Sequence, residues 1–136
     1  MNDVRVLKVE SRPAIGELKK HIAEKGKRYV FVDKDNFAKA KMYVIARVVS
    51  NIAKPYQSAG LRKHSVDAVM LFLGRSEGLR GLTVEAEIDG KVHRLKSPAG
   101  VYVPAGTMHT YRIMKGSGTY IKVVLAPGGD YNAVTS

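Results

Sequence analysis

Short runs of β-forming residues recur along most of this chain, separated by glycine, proline and polar turns. They follow one another at intervals of about 8–12 residues, a spacing typical of an all-β sandwich or barrel. The clearest turn is Asp89-Gly90, because this pair tolerates the positive φ of a type I′ hairpin. The predicted strands are Tyr29–Val32, Lys41–Val49, His64–Leu73, Leu82–Ile88, Val92–Leu95, Val101–Val103, His109–Met114 and Thr119–Leu125.

The first part of the chain has a different pattern. Ile15, Leu18 and Ile22 have the spacing of one helical stripe, and Gly26 is a suitable residue to end a helix. We therefore predict a short amphipathic α-helix before Gly26, preceded by a weak edge strand over residues 4–10. The single domain then divides into an N-terminal extension (1–40), a β-barrel (41–127) and a C-terminal tail (128–136).

The composition excludes several classes of site and location. The chain has 136 residues, no cysteine, and no apolar run near the length of about 18 residues that a membrane helix needs. Its first residues are mixed and charged, unlike a secretory signal, so we expect a cytoplasmic protein without a membrane partner. The net charge of +11 is concentrated in residues 1–63, which hold 15 Lys/Arg and 6 Asp/Glu. Such a surplus can attract phosphates or acidic partners.

One tight turn within Gly100–Tyr111 delivers a histidine to the start of a strand. Pro104 presets φ for the turn, and Gly106 can adopt a positive φ. His109 follows three residues later, with Tyr111 on the same face of its strand. This arrangement suits a pocket with an imidazole in its wall.

A second histidine, His64, begins another predicted strand. Because side chains alternate across a strand, His64 and His109 can approach within reach of one metal ion if both faces point into the same barrel. The same alternation places Asp67 on the face opposite His64, so pairing these two requires an irregular strand. His93 can be a third inward imidazole or can cover a sheet edge.

Two motifs resemble those of the cupin superfamily of small jelly-roll proteins. The run P-A-G-T-M-H, Pro104–His109, matches the second cupin motif, P-x-G-x-x-H. The run H-S-V-D-A-V-M-L-F-L-G, His64–Gly74, is similar to the end of the first motif, H-x-H-x(3,4)-E followed by a glycine. The resemblance implies an all-β fold, a cupin-like double-stranded β-helix, to which the short N-terminal α-helix is added.

The resemblance also implies a divalent metal ion, which cupins bind through two histidines and a glutamate of the first motif and the histidine of the second. In this chain Arg62 and Ala68 occupy the positions of the first histidine and the glutamate. Only His64 and His109 carry over directly, and Asp67 or His93 could complete the set of metal ligands. The residues expected to line the ligand pocket are Arg62, Met70, Phe72, Tyr102 and Tyr111.

Three functions remain open at this point. The first is a cupin that binds a divalent metal ion and acts on or senses a small-molecule ligand. The second is a metal-free, non-catalytic cupin that binds an anionic ligand through Arg62, whose guanidinium matches planar anions. The third is binding of nucleic acid or an acidic partner by the basic N-terminal helix, through Lys19, Lys20, Lys25, Lys27 and Arg28. That helix lacks stacking aromatic residues, so nucleic-acid binding ranks last.

Several predicted strands are apolar on both faces and need cover on the outer side as well. The N-terminal helix can supply some of this cover. Because many cupins are dimers, the resemblance also implies that a second copy of the chain supplies the rest. We therefore expect a homodimer.

Overall fold

Antiparallel strands form most of the chain in the computed structural model, which describes residues 4–136. Residues 1–3 of the predicted extension lie outside the described residues. No helix in the described part of the chain is long and apolar enough to cross a membrane. The strands are β1 (Glu10–Ser11), β2 (Lys27–Val32), β3 (Tyr43–Ile52), β4 (Ala68–Gly74), β5 (Leu82–Ile88), β6 (Lys91–Lys96), β7 (Ala99–Val103) and β8 (His109–Val124), with 3₁₀ turns at Glu77–Leu79, Pro127–Gly129 and Asn132–Val134.

The longest strand, β8, organises the sheet. Its first half pairs with β5, and its second half lies between β3 and β4. Beyond β3 the sheet continues into β2 and β1, beyond β4 into β7, and β6 pairs with β5. One strand therefore joins two parts of a rolled antiparallel sheet, as expected of a jelly roll.

The turn predicted between His109–Met114 and Thr119–Leu125 is wrong, because β8 runs through it without interruption. Gly116 has a φ of 106° and bends the strand. At this residue the pairing passes from Leu82 of β5 to Ile52 of β3. The glycine and its polar neighbours are the usual signals of a turn, but here they mark a bend within one strand.

Other sequence predictions are confirmed. β5 has the predicted bounds, Leu82–Ile88, and its residues pair with β6 across the predicted hairpin. Asp89 and Gly90 both have positive φ, 48° and 80°, as a type I′ turn requires. Gly106 also has a positive φ, 82°, in the turn before His109.

The predicted N-terminal α-helix is wrong: residues 14–25 contain turns and irregular chain. The values of φ are positive at Gly16 (82°) and Lys20 (68°), which no continuous α-helix allows. A glycine inside the stripe already weakens a helix by about 1 kcal/mol. The main chain bonds to a neighbouring loop instead, where the Gly60 N–H donates to the Lys20 carbonyl at 2.8 Å. The edge strand predicted over 4–10 is reduced to β1.

The C-terminal segment 128–136 packs into the molecule, so describing it as a tail is also wrong. Tyr131 and Thr135 are only 2% and 3% exposed. The main chain of Ser136 exchanges two hydrogen bonds with Lys63, both 2.9 Å long. The segment thus covers the end of the barrel near His64.

Two apolar clusters form the core. The larger lies between the inward faces of β3, β4, β5 and β8 and includes Phe72, Leu82 and Val84. The smaller surrounds Tyr131 and Tyr43. Several charged and polar side chains are buried near both clusters, and they define the candidate site: Arg28, Arg47, Arg62, His64, His109 and Lys122.

Candidate functional site

Main-chain pairing brings the two histidines together. Arg62 and His109 exchange two main-chain hydrogen bonds, 3.0 and 2.8 Å long, and the Gly106 N–H donates to the His64 carbonyl at 2.7 Å. The loop before β4 is therefore held against the turn before β8. The imidazole rings of His64 and His109 are both buried, and their centroids are 4.9 Å apart.

Hydrogen bonds fix which nitrogen of each imidazole carries the proton. His109 Nδ1 lies 2.9 Å from the Thr107 carbonyl oxygen, which can only accept, so Nδ1 donates and Nε2 is left with a lone pair. The Thr135 hydroxyl donates to the Tyr131 carbonyl at 2.6 Å and therefore accepts from His64 Nδ1 at 2.9 Å. His64 Nε2 is buried and has no hydrogen-bond partner within residues 4–136.

Both imidazoles are neutral at neutral pH. Burial lowers the pKa of His64 to about 2, with further contributions from Lys122, His109 and Arg62. Burial also lowers the pKa of His109 to about 4, and the Arg62 charge acts in the same direction. The arrangement therefore presents two unprotonated Nε2 atoms in a positively charged surrounding.

Two cations, Arg62 and Lys122, line the same cavity inside the barrel. Lys122 lies on β8 in register with Met70 of β4, so its side chain points inward. Arg62 enters from the loop before β4, and its guanidinium lies 5.8 Å from the centre of the Tyr111 ring. The other residues around the cavity are Tyr56, Ser58, Met70, Phe72, Tyr111, Ile113 and Tyr120.

The cavity is small, with a volume of about 10 Å³. This is roughly the volume that one water molecule needs. The Tyr111 hydroxyl and the Arg62 Nε are buried and have no hydrogen-bond partner among the described residues. The wall therefore offers several unused donors to whatever occupies the cavity.

These two cations differ from the other buried cations of the barrel. Arg47 Nη1 pairs with Glu24 Oε2 at 2.7 Å. Arg28 donates to the Tyr43 hydroxyl at 2.8 Å and to two main-chain carbonyls. Within residues 4–136, Arg62 makes a single side-chain hydrogen bond, to the Gly60 carbonyl at 3.2 Å, and Lys122 makes none. Neither has a carboxylate partner there.

Burial is the main reason that the pKa of Lys122 is far below its ordinary value. The charges of Arg62, Arg28 and Arg47 lower this pKa further. A buried ammonium group without an acidic partner is costly, and loss of its proton removes that cost.

The structure does not bring the remaining predicted site residues to the histidine pair. Asp67 is partly exposed and bonds to the Tyr102 hydroxyl and to the Ala105 N–H, at 2.8 Å for the latter. It therefore holds the turn around Ala105. His93 is exposed on the edge strand β6, and Tyr102 is 61% exposed and does not line the cavity.

A divalent metal ion does not fit this set of donors. Within the described residues, no group of three or more His, Cys, Asp or Glu side chains is placed to hold a metal ion. The two Nε2 atoms of His64 and His109 are suitable ligands, but catalytic sites usually have three protein ligands. The neighbouring Arg62 guanidinium would repel a divalent ion. We therefore derive no metal chemistry from this site.

The basic N-terminal residues do not lie on the predicted helix. Residues 14–25 form no helix to align them, and Arg28 is 3% exposed with its side chain bonded inside the molecule. Lys19, Lys20, Lys25 and Lys27 are exposed along irregular chain and the start of β2.

Sequence reasoning missed Lys122, although a signal was present. A lysine within the apolar run T-Y-I-K-V-V-L shares its face with Tyr120 and Val124, and this alternation predicts an inward side chain. No comparable signal marked Tyr131 and Thr135, whose role depends on how the C-terminal segment folds back.

Comparisons with known proteins support the fold. No protein-family model matches the chain, and no curated protein matches its sequence. Among solved structures, the chain is similar to the DMSP lyase DddQ from Ruegeria pomeroyi DSS-3 (TM-score 0.60, 12% identity, 94% of this chain and 60% of that one). It is also similar to oxalate decarboxylase from Bacillus subtilis (TM-score 0.58, 10% identity, 100% and 33%). An RmlC-like cupin from Shewanella frigidimarina NCIMB 400 matches with a TM-score of 0.49 at 15% identity over 79% and 83% of the two chains.

DddQ and oxalate decarboxylase are both cupin proteins. At identities of 12% and 10% these likenesses establish a fold and not a reaction. In its fold, the chain is therefore similar to these cupin proteins.

Proposed function

We propose that this cupin binds a small carboxylate or similar anion inside its barrel through Arg62 and Lys122, without a metal ion and without turnover. The observation that supports this proposal is the placement of two buried basic side chains, Arg62 and Lys122, on one cavity. Neither has an acidic partner among residues 4–136.

The energetics of burial favour an anion in this cavity. A buried charge or a buried donor without a partner costs free energy, and a bound anion offsets that cost. The guanidinium of Arg62 has a buried, unpaired Nε and matches the two oxygens of a carboxylate. Lys122 can donate to the same anion.

Binding of an anion is also expected to take up protons. Lys122, His64 and His109 all have a lowered pKa in the free protein. A negative charge nearby favours their protonated forms. Affinity for an anion should therefore fall as the pH rises.

The size of the cavity restricts the ligand. With a volume of about 10 Å³, the closed cavity accepts only a few atoms unless the surrounding loops move. We therefore expect the smallest carboxylates to bind with the least rearrangement. One structural neighbour is an oxalate decarboxylase, and oxalate is a suitable dicarboxylate probe for this chain.

The test is thermal unfolding of the metal-free protein in formate, acetate, oxalate and phosphate, each compared with chloride at equal ionic strength. A binding anion at about 100 times its Kd should stabilise the native state by about 2.7 kcal/mol. Arg62→Met should abolish the stabilisation, whereas Lys63→Met, which changes an exposed neighbour, should retain it.

Two outcomes would contradict the proposal. One is the absence of stabilisation by any of these anions in the native protein. The other is metal analysis that finds a stoichiometric divalent ion in the purified protein and loses it in His64→Ala and His109→Ala. The second outcome would favour the metal-binding alternative.

A further inference from the structure

We infer that Lys122 is a site of reversible carbamate formation with carbon dioxide. The inference uses the cavity of the proposed function but does not need the proposed ligand. It assigns to Lys122 a covalent modification that supplies the buried cations with an anion.

The lysine shares its cavity with polar groups that lack partners. Its Nζ lies 5.2 Å from the centre of the Tyr131 ring. Arg62 Nε and the Tyr111 hydroxyl, which line the same cavity, have no hydrogen-bond partner within the described residues, and neither has the Tyr131 hydroxyl. A carbamate on Nζ would bring two oxygen acceptors to this cluster of donors.

Carbamate formation requires an unprotonated amine, and the charges around Lys122 favour that form. The facing cations are Arg28 on β2, Arg47 on β3 and Arg62 in the loop before β4. The titratable neighbours that respond to Lys122 are His21, His64 and His109, and all three are neutral at neutral pH. Burial and these cations together keep the pKa of Lys122 well below 10.5.

The reaction is balanced without a further reactant. The Nζ lone pair forms a bond to the carbon of CO₂, and the electron pair of one C=O bond moves onto oxygen. Nζ then loses a proton, which passes to water. The products are a carbamate with one negative charge and one proton, and nothing is oxidised or reduced.

The volume of the cavity favours CO₂ over larger electrophiles. The reaction adds three heavy atoms to the lysine, and the cavity has room for about one water molecule before any adjustment. Larger aldehydes or oxo acids would need much more space. The Arg62 guanidinium lines the same cavity and can pair with the carbamate oxygens.

The test is ¹³C NMR of the native protein equilibrated with ¹³C-labelled bicarbonate in a sealed tube. We expect one protein-bound carbamate resonance, absent from Lys122→Met and retained in Lys63→Met, which lacks an exposed lysine instead. Arg62→Met should reduce its occupancy by about tenfold, since it removes a charge-assisted partner. Methionine fills a similar volume, so Lys122→Met is expected to fold.

A second measurement does not depend on any variant. Alkylation of the carbamate in the native protein with a trialkyloxonium salt makes it stable, and peptide mass spectrometry then locates it. Modification at residue 122 supports the inference. No carbamate resonance, or one that persists in Lys122→Met and maps to the α-amino group or another lysine, would overturn it.

The result is distinguishable from failure of the proposed function. Anion stabilisation in carbonate-free buffer without any carbamate leaves the proposed function standing and removes this inference. A carbamate at Lys122 without stabilisation by added anions supports this inference and removes the proposed function. If both occur, bicarbonate should weaken anion binding, because the two anions compete for Arg62.

Discussion

At the scale of single residues, the site is defined by buried groups that lack their usual partners. Lys122 and Arg62 have no carboxylate partner within the described residues, and His64 Nε2 has no hydrogen-bond partner there. Most buried polar groups in proteins are paired. The unpaired Arg62 Nε and Tyr111 hydroxyl of one cavity, which Lys122 also lines, therefore indicate a binding site more strongly than any one of them.

Two buried histidines and the half-buried His21 predict loss of stability in acid. The pKa values of His64, His21 and His109 are lowered to about 2, 3 and 4, whereas the unfolded chain has the ordinary value of 6.5. Below pH 6.5 the unfolded chain therefore binds more protons than the native state. Above pH 6.5 the histidines do not reduce the free energy of unfolding. As the pH falls from 6.5 toward the native-state pKa of a histidine, that histidine lowers the free energy of unfolding by up to about 1.4 kcal/mol per pH unit.

Denaturant unfolding between pH 7 and pH 4.5, in chloride buffers without small carboxylates, measures this dependence. His64→Gln should reduce the slope of unfolding free energy against pH by about one histidine's share. Equal slopes for the native protein and His64→Gln would contradict the assignment of a buried, neutral His64.

At the scale of elements, the bend in β8 holds the two parts of the sheet together. Before Gly116 the strand pairs with β5, and after it with β3 and β4. The same strand places Tyr111 and Lys122 on the cavity from either side of the bend. The geometry of the site therefore depends on this one residue, which does not itself line the cavity.

Gly116→Ala is expected to be severely destabilising. At φ 106° an added Cβ would lie 1.9 Å from the Gly81 carbonyl oxygen, so the change combines backbone strain with a main-chain clash. We expect a loss of at least about 3 kcal/mol of unfolding free energy.

Gly90→Ala is the matched control in the same denaturant experiment. Gly90 also has a positive φ, 80°, but an added Cβ would meet no atom within 4 Å. It should therefore cost about 1 kcal/mol, from strain alone. Similar losses for the two variants would show that the clash at Gly116 is relieved by local movement.

At the scale of the whole molecule, the sheet of β3, β8 and β4 has an apolar outer face. Val44, Val123 and Val69 lie in register across the strands, and the next row includes Ile121 and Leu71. None of the nine residues that form this outer face is charged, although the chain has a net charge of +11. The members of this outer face are Val44, Ala46, Val48, Val69, Leu71, Leu73, Thr119, Ile121 and Val123.

Two copies of the chain can meet through this outer face without repulsion between like charges, and we expect a homodimer that uses it. Light scattering at micromolar concentration should give twice the chain mass of 14.9 kDa. Leu71→Lys should shift the mass to that of a monomer, because it places two charges in a symmetric interface. Val92→Lys, at an exposed apolar residue of β6, should remain dimeric. A monomeric native protein would remove the expectation.

The sequence by itself determined the features that depend on neighbouring residues. The spacing of β runs predicts the all-β fold, and Asp89-Gly90 predicts the hairpin that the structure contains. The P-A-G turn places His109 at the start of β8. Each of these follows from backbone dihedral preferences or from the two-residue period of a strand.

Only the tertiary structure decided what the cavity contains. His64 is held by Thr135, which lies 71 residues away in the sequence, and Arg62 and Lys122 reach one cavity from different elements. From the sequence, Gly116 resembles a turn residue. Only the structure shows that β3 and β5 both pair with β8, which continues through this glycine. Burial of a charge depends on which distant segments surround it, and local patterns contain no information on that enclosure. The period of β8 can show that Lys122 points inward, but only the packed barrel shows that no carboxylate of the described chain meets it.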